Sequence, residues 1–511
     1  MGRIGSRGAA ALNMGRILQF VRPPARLAGL VLAVVAVAAS GCRTLPSASE
    51  RPAPPATPSR EVHVWLSTAD RTARLARIPD LTLREPTSDR PTVSIDPDER
   101  FQSIVGFGAA ITDSSAWLLQ TRLGPAQRAE LLNELFGPDP GLRMSLVRLT
   151  IGASDFSLTH YSYDDMPAGE TDPALARFTL APIRDTVLPI AREARRLNPA
   201  LRFVASPWSA PGWMKTSDSL LLGTLLPQYY GVFSDYLLKY ADAMQAQGVP
   251  IFALTLQNEP HFAPATYPGM LLGAGARATV IGQYLGPALA RRKNAPVILD
   301  WDHNWDRPQE PLQVLDDPAA APFVAGVAWH CYAGKVAIQE QVHFVHPDKD
   351  AYLTECSSGN WGPNPDASLL ATTRQEIIGS TRGWSRGVIL WNLALDDDAG
   401  PHLGGCRACR GLLTIDAHSG EIARTDDYYA IAHASRFVQP GAERIDSTET
   451  DGGLANVAFR NPQDGSIVLI AANSSNEARA LSVQCAGAAF DYTMPPLSVA
   501  TFVWGGSGAI R

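Results

Sequence analysis

The sequence predicts an α/β fold, a (β/α)8 TIM barrel carrying a small all-β sandwich side domain. Three observations predict it. Between residues 101 and 435, short apolar runs of strand length alternate with longer stretches of helical period, the pattern of parallel strands joined by external helices. Eight strand runs can be counted there, from IVGFGAAI to GVILWNLAL, which favours a closed barrel over a doubly wound sheet. After residue 436 the period falls to two, with Asn, Asp, Gly and Pro punctuation, as in ANVAFRNPQDGSIVLIAANSS, and this marks antiparallel strands.

Taken in order, the chain starts with a processing segment. Residues 1–41 hold Arg16, Arg22 and Arg26 ahead of the apolar run LAGLVLAVVAVAAS, which is short for a bilayer-spanning helix. The run ends in AASGC, similar to a bacterial lipoprotein signal that is cut before a lipidated Cys, here Cys42. Ala39 stands where such signals favour Leu, so secretion without a lipid is the alternative. Residues 42–61, rich in Pro, Ala and Ser, read as a disordered linker. The expected location is therefore outer-membrane or cell-surface, or else periplasmic or secreted, with the membrane met only through the lipid anchor.

Residues 1–41 carry five Arg and no acidic residue, so without them 39 basic side chains face 50 acidic ones, a net charge of −11. Such a body does not attract nucleic acid or anionic lipid. A neutral partner is expected, and the chain is expected to act as a monomer without a cofactor or bound metal. At 511 residues and 45% hydrophobic, the chain can bury one large core and a second smaller one.

Residues 62–100, with TVSIDP, are expected to lend strands to the side domain that residues 436–511 complete. The barrel occupies 101–435. Its first strand run, IVGFGAAI, precedes a helical pattern over SAWLLQTRLGPAQRAELLNELF. SLVRLTIG, LRFVASPW, PIFALTLQNEP, PVILDWDHN, VAGVAWHCY, DAYLTECSS and GVILWNLAL follow, with helical stretches such as YYGVFSDYLLKYADAMQAQG between them. GFGAA is only a superficial match to a dinucleotide-binding fingerprint.

In such a barrel the C-terminal ends of the strands converge on one mouth, where polar residues read as functional. Arg148 and Asp155 stand around strand two, Trp208 after strand three, and Asn258 and Glu259 after strand four. His330 and Tyr332 follow strand six, Glu355 ends strand seven, and Trp391 and Asn392 lie at strand eight. Cleaving a glycosidic bond needs one carboxyl group to protonate the departing oxygen and another to attack or stabilise the oxocarbenium ion. Glu259 and Glu355 are the candidates, because strands four and seven face each other across the mouth. Trp208 and Trp391 could pack on sugar faces, although large aromatic side chains are more often core. Asp155 could instead pair with Arg148, and His330 could be a satisfied interior histidine. Asp113 is read as holding the first loop.

The segments FQSIVGFGAAITDSSA, RLTIGASDFS with YSYDD, ASPWSAPGWMKT, LTLQNEP, AWHCY, LTECSSG and LWNLALDDDAGP resemble, in this order, glycoside hydrolase family 30, the glucosylceramidase family. The resemblance spans roughly residues 100–435. It implies a retaining β-glycosidase with Glu259 as general acid/base and Glu355 as nucleophile, their carboxyl groups about 5 to 5.5 Å apart. It further implies that Asn258 binds the 2-hydroxyl, that Asp155, Trp208 and Trp391 line the sugar pocket, and that Arg148, His330 and Tyr332 orient the nucleophile. Burial and nearby negative charge are expected to raise the Glu259 pKa. Cys331 in AWHCY, where an aromatic is usual, and the loop GPHLGGCRACRG depart from the family pattern and put a ceramide aglycone in doubt.

β-Glucosides are the expected substrates, as glucosylceramide or a β-1,6-linked glucan. The same mechanism on β-xylosides, β-fucosides or β-galactans is one alternative, and a non-catalytic glycan-binding lipoprotein is another. Of the five cysteines after Cys42, the pair Cys406 and Cys409 reads as a disulfide, with zinc binding alongside His402 and His418 as the rival. Cys331, Cys356 and Cys485 have no partners assignable from sequence.

Overall fold

The computed structural model describes residues 60–87, 92–361 and 368–505. The expected signal peptide, Cys42 and all but the last two residues of the linker lie outside them.

Eight parallel strands form the barrel: β1 (Gly106–Ala109), β2 (Leu146–Ile151), β3 (Arg202–Pro207), β4 (Ile251–Thr255), β5 (Val297–Asn304), β6 (Val324–His330), β7 (Asp350–Glu355) and β8 (Ser385–Leu390). From β2 to β8 each strand pairs with the next in sequence, and β8 then pairs with β1. The ring closes between β1 and β2, where the Ile111 N–H donates to the Arg148 carbonyl at 3.0 Å and the Ser145 N–H to the Phe107 carbonyl at 3.2 Å. Gly108 permits this approach, since a Cβ there would lie 2.0 Å from the Leu146 carbonyl oxygen. The glycines of GFGAA thus serve strand packing. Strands covered on both faces read as continuous apolar runs, as in LVRLTI of β2, where all six residues are buried.

One inward residue from each of seven strands, Leu146, Val204, Ala253, Leu299, Ala328, Tyr352 and Ile389, builds an apolar floor inside the barrel. Two residues further along, where the pleat again points inward, the chain places Arg148, Ser206, Thr255 and Thr354, all buried. The barrel interior therefore changes from apolar to polar within one strand repeat. This polar layer is the base of the mouth.

Helices surround the strands. The pattern expected as one helix over SAWLLQTRLGPAQRAELLNELF is two, Asp113–Thr121 and Pro125–Phe136. Pro125 cannot continue the first helix but fits the first turn of the second.

A second sheet of nine strands lies beside the barrel. In spatial order these are Ala488–Met494, Arg479–Cys485, Val93–Ser103, Glu443–Ser447, Leu454–Arg460, Ile467–Asn473, Ser498–Trp504, Glu61–Thr68 and Ala76–Thr82. Its two ends share a core that includes Val62, Val64, Ile95, Leu481, Phe490 and Phe502, so the sheet folds over itself as a sandwich. Its other face, with Val468, Ile470 and Val503, joins the barrel core. The helix Asp426–Ser435 is seated between them by His433, whose ring nitrogens lie 2.8 Å from Thr501 Oγ1 and 2.9 Å from Ser67 Oγ. Among the described residues no helix is long and apolar enough to cross a membrane.

Candidate active site

The mouth is organised around a carboxylate that sequence reasoning did not single out, Asp302. It is fully buried and accepts hydrogen bonds from the Arg148 guanidinium at 2.7 Å, Ser206 Oγ at 2.6 Å, Thr255 Oγ1 at 2.8 Å and Thr354 Oγ1 at 2.6 Å. His330 Nε2 lies 3.1 Å from its second oxygen. Strict alternation from the inward Leu299 would place Trp301 inside the barrel and Asp302 outside. A register shift in β5 between Trp301 and His303, with φ of 78° at Trp301 and 53° at Asp302, reverses this parity. Asp302 turns inward, and Trp301 packs into the core around the barrel. The polar string WDHN at the strand end was the available signal. Burial opposes the Asp302 charge, but Arg148 and His330 outweigh burial and hold its pKa well below the usual carboxylate range.

Arg148, also fully buried, is held by Asp302 and reaches upward to two sequence-predicted residues. One guanidinium nitrogen donates to Asn258 Oδ1 at 2.8 Å and the other is hydrogen-bonded to Glu355 Oε2. The Tyr332 hydroxyl donates to the other Glu355 oxygen at 2.9 Å. Glu355 is thus an oriented carboxylate, 5% exposed, with one donor on each oxygen.

Glu259 stands just past β4. Its N–H donates to the Asp302 carbonyl at 3.0 Å, and the Asn258 N–H donates to the Pro207 carbonyl at 2.8 Å, which fixes the NEP turn against neighbouring strands. Glu259 Oε1 lies 3.3 Å from His330 Nδ1 and 3.5 Å from His303 Nδ1. The same His330 nitrogen is 3.9 Å from Glu355 Oε1, so the two glutamate oxygens are within about 7 Å of each other. That bound includes the separation of about 5 to 5.5 Å used in double displacement.

The expected direction of the Glu259 pKa is reversed. Burial does raise it, but the adjoining imidazoles of His303 and His330 outweigh burial and bring it down to about 2. His330 moves oppositely: burial would lower it, but the charges of Glu355 and Asp302 and its bonds to Asp302 and Glu259 raise it to about 9. In this state the proton belongs to the imidazole side of the Glu259–His330 contact.

Asp155 does not pair with Arg148. Its carboxyl group is buried beside the loop after β8, where the Leu403 N–H donates to the Asp155 carbonyl at 2.7 Å. Burial, then the charges of Glu355 and Glu259, push its pKa well above the usual range. Trp208 and Trp391, each 3% exposed, stack on one another at 5.1 Å with the Arg148 guanidinium 4.8 Å from the Trp208 ring. Both also pack in one cluster with Ala110, Phe156 and Leu395, which accounts for their burial. Asp113 receives Ser157 Oγ at 2.5 Å and Tyr161 OH at 2.8 Å, holding the loop after β2.

Cys406 and Cys409 are joined in a disulfide within the loop over Asp155, which removes both thiolates from zinc binding. Cys331 and Cys356, left unassigned from sequence, form a second disulfide between the segments that follow β6 and β7. Each sulfur belongs to a residue adjoining the site, Cys331 lying between His330 and Tyr332 and Cys356 following Glu355. The bond therefore ties the two strand ends that deliver these side chains. Beside Glu259 a cavity of about 380 Å³ opens, lined by His261, Phe262, His303, Asn304, Asp306 and Arg307.

Comparison with known proteins decides what this arrangement belongs to. Residues 104–438 match the glycosyl hydrolase family 30 TIM-barrel domain, and residues 441–502 match the family's beta sandwich domain. The chain belongs to glycoside hydrolase family 30. Within this family, an endo-1,6-beta-D-glucanase of Neurospora crassa is 36% identical over 434 residues, covering 82% of this chain and 88% of that protein. Lysosomal acid glucosylceramidase of Mus musculus is 28% identical over 447 residues, covering 81% and 83%. The solved structure of the endo-beta1,6-glucanase BT3312 is 31% identical with a TM-score of 0.80, covering 87% of this chain and 99% of that one. This family 30 protein is accordingly a glycoside hydrolase acting on β-glycosidic bonds.

Proposed function

We propose that this family 30 enzyme is an endo-acting β-1,6-glucanase that works by double displacement, with Glu355 as nucleophile and Glu259 as acid/base. The geometric support is one contact set: His330 Nδ1 lies within 3.9 Å of both glutamates, while Arg148 and Tyr332 hold Glu355 from the other side. The substrate assignment is supported by the higher identity to endo-1,6-glucanases, 36% against 28% for the mouse glucosylceramidase.

In this reading Glu355, fixed by two donors, attacks the anomeric carbon and forms a glycosyl ester. The proton held on His330 Nδ1 passes across 3.3 Å to Glu259 as the bond breaks, and Glu259 delivers it to the glycosidic oxygen. When the Glu355 charge is consumed as an ester, one of the anions that raised the His330 pKa is gone. Glu259 then accepts a proton from the water that opens the ester. Asn258, oriented by Arg148, binds the 2-hydroxyl, Asp155 a further sugar hydroxyl, and the Trp208–Trp391 pair supplies a rigid wall.

The deciding experiment is a hydrolysis screen over β-1,6-, β-1,3- and β-1,4-glucans, glucosylceramide, and aryl β-glucosides, β-xylosides, β-fucosides and β-galactosides. Release of oligosaccharides from β-1,6-glucan alone is expected. Turnover of another substrate in preference reassigns the specificity, and absence of turnover throughout leaves a glycan-binding protein.

Export and anchoring through Cys42 belong to the same proposal. Two disulfides in the described residues fit an oxidising compartment. Incorporation of a labelled fatty acid, lost on Cys42→Ser, is the test.

A further inference from the structure

Glu259, His303 and His330 each place one ligand atom within 4.8 Å of the other two. Two of the three separations are 3.3 and 3.5 Å. Zinc holds histidine nitrogen and carboxylate oxygen at about 2.0 to 2.2 Å, so two ligands of a tetrahedral site stand roughly 3.3 to 3.6 Å apart. Two edges of such a site thus already have the needed length, and the third is no longer than 4.8 Å.

The surroundings are those of a ligand set. His330 Nε2 faces Asp302 Oδ1 at 3.1 Å, the carboxylate–imidazole arrangement that orients a metal-binding histidine and leaves its other nitrogen to the ion. His303 Nδ1 is buried without a hydrogen-bond partner. Its distance of 3.5 Å to Glu259 is too long for a good hydrogen bond, so a ligand is the better use of its lone pair. Glu355 Oε1, 3.9 Å from the same His330 nitrogen, adds a second carboxylate charge. Arg148 is committed to Asp302, Glu355 and Asn258, and Arg307, at the wall of the adjoining cavity, lies 3.0 Å from His261 Nδ1. The cavity of about 380 Å³ beside Glu259 and His303 gives an entry path and room for water in a fourth position. Two histidines and one glutamate with an open position suit a borderline cation such as Zn2+ or Cu2+ better than Ca2+ or Mg2+, which prefer oxygen ligands.

We propose that Glu259, His303 and His330 form a binding site for a divalent transition cation of the Zn2+ class, and that occupation of this site blocks hydrolysis by taking the acid/base carboxylate. The site rests on ligand geometry alone. Its effect on rate rests in addition on the reading of Glu259 as acid/base. On binding, the proton on His330 leaves to solvent, and the ion takes the lone pairs of Glu259, His303 and His330.

The test uses the full-length, chelator-treated protein. Zn2+ binding is measured by calorimetry and by equilibrium dialysis with metal analysis, and Co2+ is used as a spectroscopic substitute. One tight ion per chain is expected, with visible Co2+ bands of tetrahedral intensity. At least tenfold weaker binding is expected in each of His303→Ala and Glu259→Gln, checked for folding by circular dichroism. The solvent-exposed group of Glu61, His63 and Asp80 is the competing location, so His63→Ala is the control and leaves the tight ion in place. Absence of tight binding, or binding lost in His63→Ala and retained in the other two variants, overturns the proposal. Stoichiometric binding dependent on His303 and Glu259, with hydrolysis unchanged, upholds the site and removes Glu259 from the acid/base role instead.

Discussion

Arg148 and Asp302 form an ion pair at 2.7 Å with neither side chain exposed. Both belong to the barrel interior, and between them they hold Glu355, Asn258 and His330 by hydrogen bonds. Removing one partner of such a pair leaves a charge that the interior cannot solvate. Asp302→Asn is therefore expected to cost about 3 kcal/mol of stability, read as a lower denaturant midpoint. kcat should fall at the same time, because Arg148 and His330 lose their anchor. A loss below about 1 kcal/mol would show that the pair is dispensable.

The two glutamates should fail differently. Glu355→Gln removes the attacking atom and should abolish hydrolysis of aryl β-glucosides and glucans alike while sugar binding survives. Glu259→Gln should cost roughly 10²- to 10⁴-fold on substrates with poor leaving groups and much less when the aryl leaving group needs no proton. Equal losses across leaving groups would remove Glu259 from the acid role. Measuring kcat/KM along a phenol series separates the outcomes.

The Glu259–His330 contact sets a pH window. His330 is raised from 6.5 to about 9, so its share of stability is complete below its unfolded value and is lost as pH rises through about 9. Glu259 is lowered from 4.5 to about 2, so its share is complete above its unfolded value and is lost as pH falls through about 2. Both contributions are therefore whole between about 4.5 and 6.5. His330→Asn should flatten the alkaline limb of both the stability curve and the pH–rate profile. An unchanged alkaline limb would place the titrating proton elsewhere.

The Cys331–Cys356 bond closes a loop of 25 residues, and chain entropy assigns such a link about 3 kcal/mol. Replacing both cysteines by Ser should lower Tm accordingly. It should also lower kcat more than it raises KM, because His330, Tyr332 and Glu355 lose their shared tether. Replacing the Cys406–Cys409 pair is the comparison, expected to act on KM through the loop over Asp155.

Gly108→Ala puts a methyl group 2.0 Å from the Leu146 carbonyl oxygen at the barrel seam. Soluble expression is expected to collapse or unfolding to shift by several kcal/mol, on the order of 3 or more. Gly124→Ala, where an added Cβ meets nothing within 4 Å, is the matched control.

The sequence by itself determined the barrel, the side domain and the position of Glu259 and Glu355 at strand ends, because these rest on local regularities. Strand runs such as LVRLTI are apolar throughout when both faces are covered, and a polar residue at the end of such a run has only the mouth to enter. Tertiary structure decided what depends on parity or on distant partners. The bulge in β5 turns Asp302 inward against the alternation that Leu299 sets. The sign of the Glu259 pKa shift comes from histidines 44 and 71 residues further along the chain, a proximity that no local pattern encodes. The same holds for Cys331 and Cys356, joined because neighbouring strands end side by side, and for Trp208 and Trp391, which stack on each other before any sugar arrives. Periodicity fixes which way a side chain faces along its own strand, and only the closed barrel fixes what it meets there.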